Sequence, residues 1–197
     1  MKYPIYEYII MAVPILLGII GGYFVCRHDW KRYGSVYLIS GVIGNALCWA
    51  FAYMKLYAFP DRPFHGQVII PLMVMFTWVP YTVVAGIRYS PVKWGWKIPF
   101  YWAMVHIAVV SEIALLENTR IFRLTFGWDL WDSYTWWWLF YVFFEWIGGR
   151  IVRSSDRKPI RGIQFRYGRW GWLVFHFIVI STVFVYGMYV GKTVWGK

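Results

Sequence analysis

Windows of about 20 apolar residues, long enough to cross a hydrocarbon layer about 30 Å thick, recur along this chain at 5–26, 35–59, 67–87, 98–121, 134–152 and 171–190. Short polar connections such as "RHDWKRYGS" and "SPVKWGWK" separate them. Backbone amides in lipid have to pair within their own segment, so each window is expected to be a helix. The expected fold is therefore all-α: a polytopic transmembrane bundle of six spans forming one integral membrane domain over residues 1–197. With 60% hydrophobic and 23% aromatic residues against 15% charged, the chain has too much apolar surface for a single water-soluble core. The first window carries no small-residue cleavage site before Cys26, so it reads as a retained helix rather than a secretion signal.

A formal net charge of +11 invites a nucleic-acid reading, but the distribution of that charge argues otherwise. Most Lys and Arg residues fall in the connections around 27–32, 88–97 and 150–169, which alternate windows would place on one side. That asymmetry follows the positive-inside rule. It puts both termini outside, makes a nucleic-acid partner unexpected, and leaves the 150–169 loop to meet anionic lipid headgroups.

The polar residues inside the windows are the candidate site. Asp residues lie in the predicted connections, whereas Glu7, Glu112, Glu117 and Glu145 lie within or at the ends of windows. A carboxylate at mid-bilayer costs on the order of 3 kcal/mol and usually faces protein or water. From a rise of 1.5 Å per residue, His106 is expected about 12 Å from the basic side, Glu112 about 21 Å and Glu117 about 28 Å. Glu145 and His176 are both placed about 10 Å from the basic side and are expected to meet. His106 and Glu117 share a helix face, while Glu112 lies on another. Glu112 has no cation within a turn, Glu117 has Arg120 three residues on, and Asn45 is placed to bridge one of the acids.

Other features have plainer readings. Tryptophans such as Trp94, Trp128 and Trp136 are expected at the headgroup boundary, with an aromatic ligand cage as the alternative. Gly18 with Gly22, and Ser40 with Gly44 and Cys48, are spaced for close helix packing, and Gly149 is expected to admit a neighbour beside Glu145. Pro71 and Pro80 are expected to bend the third span. The two aspartates of "DLWD" make a poor metal site, and no metal or cofactor is expected. Nucleotide-binding, zinc-hydrolase and serine-hydrolase motifs are missing from the sequence.

The run "LLENTRIFRLTFGWDLWD", Leu115 to Asp132, followed by "YTWWWLFYVFFEWIGGRIV", resembles an uncharacterised family of small multi-pass membrane proteins of spore-forming bacteria. The likeness is one of layout over the central third and implies a bacterial plasma membrane without implying an activity. From the residues themselves, the leading expectation is binding or transport of a small ligand or protons through Glu112 and Glu145, with His106 and His176 beside them. A membrane-embedded enzyme acting on a lipid or isoprenoid, with a buried Glu as general acid, is a second reading. A non-catalytic subunit beside a membrane protein partner, or a homo-oligomer, is a third.

Overall fold

The computed structural model describes residues 3–61, 69–125, 127–161 and 169–195, the last helix with its side chains only over 173–186. It is an all-α bundle with six α-helices among the described residues: α1 (Ile5–Cys26), α2 (Trp30–Tyr53), α3 (Leu72–Tyr89), α4 (Trp94–Asn118), α5 (Leu130–Ile151) and α6 (Arg169–Trp195). Four of them, α1 to α4, are long and apolar enough to cross a membrane. The Trp- and Tyr-rich α5 is not among these, and α6 contributes a shorter apolar stretch, Leu173–Tyr186. The first predicted window coincides with α1. The second was drawn too late, because 57–58 belongs to a two-residue strand, β1 (Tyr57–Ala58), paired antiparallel with β2 (Arg123–Leu124). Residues 67–68 of the third window lie outside the described residues.

Local signals explain several boundaries. Asp29 caps α2 by accepting the Arg32 amide at 3.0 Å. The "DLWD" run is a capping box: Asp129 accepts the amides of Trp131 and Asp132, and the Asp132 carboxylate accepts the Asp129 amide. Those two carboxylates satisfy the exposed donors of a helix start, which accounts for their pairing without a ligand. Pro71 is the N-terminal cap residue of α3 rather than a bend within it; Pro80 is the proline inside that helix.

The core is centred on α3. Val79, Val83, Val84 and Ile87 are buried among α1, α2, α4 and α5, with Tyr33, Tyr101, Val105, Tyr141 and Phe144. Close approach depends on glycine. A Cβ at Gly18 would lie 2.4 Å from the Thr77 carbonyl carbon, so α1 and α3 touch backbone to backbone. On α5 the close approach is at Gly148, where a Cβ would meet Ile87 of α3 at 2.4 Å. Gly149, the position expected from sequence, is exposed. Both lie one turn beyond Glu145, and α3 packs on the side that Gly148 occupies.

Gly18→Ala is therefore expected to lower stability by about 1–3 kcal/mol through overpacking, read as a lower unfolding midpoint in detergent. Gly95→Ala, where the added methyl meets open space, serves as the control and should cause no loss.

Candidate functional site: a cavity around Glu112

Between α2, α3, α4 and α5 lies a cavity of about 200 Å³. On α4, Ala108, Ser111, Glu112 and Leu115 face it, the i, i+3, i+4, i+7 stripe of one helical face. Trp136, Trp137 and Phe140 of α5 line it, as do Gly44 and Cys48 of α2 and Val74, Met75 and Trp78 of α3. Its end toward β1 and β2 is closed by Tyr57, Phe59 and Phe122, whose rings contact one another at centroid distances of 5.5–5.6 Å. Burial pushes the Tyr57 phenol above its ordinary range, so it stays a neutral hydroxyl.

Among the described residues, Glu112 is the only carboxyl group in the lining. Its Oε1 accepts the Trp137 indole N–H at 2.8 Å. Its Oε2 is buried and within hydrogen-bonding distance of no donor; the Ser133 hydroxyl, also in the lining, acts on the carboxylate from farther off. A buried carboxylate oxygen without a donor costs of the order of 1–3 kcal/mol or more, and among the described residues it is the one unpartnered side-chain atom in the cavity lining. Trp128 and Trp136, expected at the membrane boundary, also line this cavity. Trp128 donates to Ser133 at 3.0 Å and packs on Phe51 at 4.9 Å, and Trp136 meets Phe51 edge-on.

Glu145, the other expected ionisable centre, is built differently. It is 3% exposed and bonded on both oxygens. Lys97 and Arg157 (2.9 Å) reach Oε1, and Ser90 (3.1 Å) and Tyr101 (2.5 Å) donate to Oε2. These bonds occupy the carboxylate with partners other than the expected His176. The carboxylate thereby joins the end of α3, the start of α4, the middle of α5 and the segment after α5. Around the same end, Arg32 pairs with Asp156 at 2.7 Å, Tyr33 donates to the Asp156 carbonyl, and the Lys158 amide donates to the Arg88 carbonyl at 2.8 Å. Lys97 and Arg157 had been counted only as loop charge; their sequence distance from Glu145 gave no sign of the pairing.

The remaining expected site residues lie apart from the cavity. The Nδ1 of His106 lies 2.9 Å from the Trp102 carbonyl, while Nε2 meets the Thr182 hydroxyl, so it joins α4 to α6. The expected separation from Glu112 is what the structure gives. His176 lies on α6, its ring packed beside that of Phe175. Glu117 is exposed, and Arg120 turns its side chain to Asp61 at 3.9 Å rather than to Glu117. Asn45 donates to Gly41 of its own helix at 2.8 Å and bridges no acid. Glu7 was not singled out by sequence reasoning beyond its place at the end of a span. It is fully buried and accepts the Arg120 amide at 3.1 Å. Its position inside an apolar helix start was the available signal.

No family model matches the chain, and neither a curated protein nor a solved structure is significantly similar to it. The class is set by the fold alone: with four helices long and apolar enough to cross a bilayer, this is a helical membrane protein.

The two glutamates are expected to separate in a stability measurement. Glu145→Ala leaves Lys97 and Arg157 buried without their counter-charge and should cost about 3–5 kcal/mol. Glu112→Gln replaces the unpartnered carboxyl oxygen while keeping the shape, and should leave the unfolding midpoint unchanged or higher. Chemical unfolding in mixed micelles reads both.

Proposed function

We propose that this is a multi-pass protein of a bacterial cytoplasmic membrane that binds a small, mainly apolar molecule in the Glu112 cavity, with Glu112 accepting a hydrogen bond from its polar group. The observation carrying this reading is the unpartnered Oε2 of Glu112 in an otherwise apolar, aromatic-lined space. Ligand sites are commonly concave and apolar, with a few polar groups fixing orientation.

Binding is favoured over proton conduction between the two glutamates. Trp137 stands between Glu112 and the tyrosines leading to Glu145, stacked on Tyr141 at 5.6 Å. An indole N–H only donates, so it does not relay a proton. Tyr141 in turn donates to Thr82 of α3 at 3.1 Å rather than toward either acid. The Glu145 carboxylate is already filled by four donors.

Exposed Arg27, Lys31, Lys93, Arg153, Lys158 and Arg161 all lie at the Glu145 end. They support a cytoplasmic position for that end, facing anionic lipid, with the cavity toward the opposite side. In this arrangement all six helices cross the membrane.

Titration of the protein in nanodiscs with 4-bromobenzyl alcohol, followed by quenching of tryptophan fluorescence, tests the reading. Saturable quenching is expected in the wild type. Ala108→Phe, which fills the cavity from α4, should abolish the saturable phase, and Glu112→Gln should weaken it about tenfold, the worth of one good hydrogen bond. Unsaturable quenching in the wild type, or the same curve in all three proteins, would overturn it.

A further inference from the structure

The chemistry of the cavity wall and the shape of its opening narrow the ligand class, on the basis of the binding reading above. Among the described residues that line the cavity there is no Lys or Arg, and the single acid is Glu112. Around it stand Trp128, Trp136 and Trp137, with Phe51 and Tyr57 completing an aromatic wall. Aromatic faces attract cations through their quadrupole, most strongly when water is excluded. A carboxyl oxygen without a donor in an aromatic-lined space is the complement of an ammonium group. An ammonium group brings both a hydrogen-bond donor and the counter-charge that favours an ionised Glu112, whereas a neutral hydroxyl brings the donor alone.

Two helices, α3 and α4, flank the opening. At the Glu145 end α3 and α4 converge: a Cβ at Gly86 would sit 3.1 Å from the Tyr101 ring and 3.3 Å from the Met104 sulfur. Toward the other end the cavity separates them. On α3, Met75 and Val79 face Gly44 of α2, while Val74 and Trp78, a turn apart, lie on the side away from it. On α4, Glu112 reaches α5, and Ser111 at the opposite edge of the lining stripe is exposed. Among the described residues the end of the cavity toward the short strands is covered by Tyr57, Phe59 and Phe122. The exposed lip therefore lies between α3 and α4, on a surface that a membrane-spanning bundle turns to acyl chains. About 200 Å³ exceeds only modestly the ~150 Å³ that holds benzene. The space takes a head group and a few carbons, and a longer chain continues outward through the lip.

We propose that the ligand is a single-chain amphiphile with an ammonium head, entering sideways from the bilayer between α3 and α4, its head against Glu112 and its tail left among the lipids. Displacement of 4-bromobenzyl alcohol from the protein in phosphatidylcholine nanodiscs tests this, with decylammonium, decanol and butylammonium as competitors. Decylammonium is expected to displace the probe at a bilayer concentration about tenfold or more below that of decanol. Butylammonium, which has the head without the chain, should displace it poorly. Glu112→Gln should erase the difference between amine and alcohol, and Ser111→Trp at the lip should slow displacement by decylammonium at least severalfold. Equal displacement by amine and alcohol, or a preference that survives Glu112→Gln, would refute the ammonium class. Unchanged rates in Ser111→Trp, or butylammonium matching decylammonium, would refute entry from the bilayer. In both cases saturable probe binding would leave the cavity reading standing, whereas its loss in the wild type would remove both.

Discussion

The arrangement of this bundle depends on the pairing of one buried carboxylate. Glu145 sits on an apolar helix where an isolated charge is costly, and it is tolerated because two cations and two hydroxyls converge on it. Buried ion pairs gain little against a well-packed apolar alternative, but losing one partner is expensive. Such a group therefore constrains geometry more than it adds stability. Here it fixes where α3 ends, where α4 begins and how the chain turns back after α5. Convergence of three helices at one end leaves the width between α3 and α4 at the other end to be set by side chains, and that is where the cavity lies.

The two glutamates separate because the same residue type meets different donors. Glu145 accepts four hydrogen bonds; Glu112 accepts one, from a neutral indole. Glu145 is satisfied on both oxygens, while the unpartnered oxygen of Glu112 belongs to a cavity wall. A natural chain keeps an unsatisfied buried oxygen at a cost to stability, and function is the usual compensation. The tryptophans follow the same division. Those at the bundle exterior, such as Trp94 and Trp146, pack against the cations Lys97 and Arg150, while Trp128 and Trp137 spend their indole N–H on buried acceptors.

Much of the fold was legible because lipid imposes a length. Residues 5–26 were read without error, and each of the other five windows overlaps a helix within several residues. What periodicity missed was where apolar sequence leaves the helix. Tyr57 to Phe59 is as apolar as the helix before it, and only pairing with 123–124 turns it into the cover of the cavity. Within the site, the odd position of Glu112 and its separation from His106 could be read from composition and helical phase. The partners of Glu145 could not, since Lys97 and Arg157 lie 48 and 12 residues away and nothing local marks them. The expected meeting with His176 rested on equal depth, a one-dimensional argument that leaves rotation about each helix axis undetermined.

The cavity also needs a reason not to collapse, since packing in protein interiors normally removes such space. α4 supplies it by being held near its two ends. At its start Lys97 and Tyr101 are bound to Glu145. At its finish the turn at Arg120 donates its amide to Glu7 of α1, and its carbonyl accepts the Asp61 amide at 3.1 Å. Between those ties, the face carrying Ala108, Glu112 and Leu115 meets the void, and the Trp137 hydrogen bond draws it toward α5 rather than α3. A helix is stiff over this length, so fixing both ends sets the distance of its middle from α3. The carboxylate at the start of α1, easily read as a boundary residue, is thus one of the two ties that keep the space around Glu112 open.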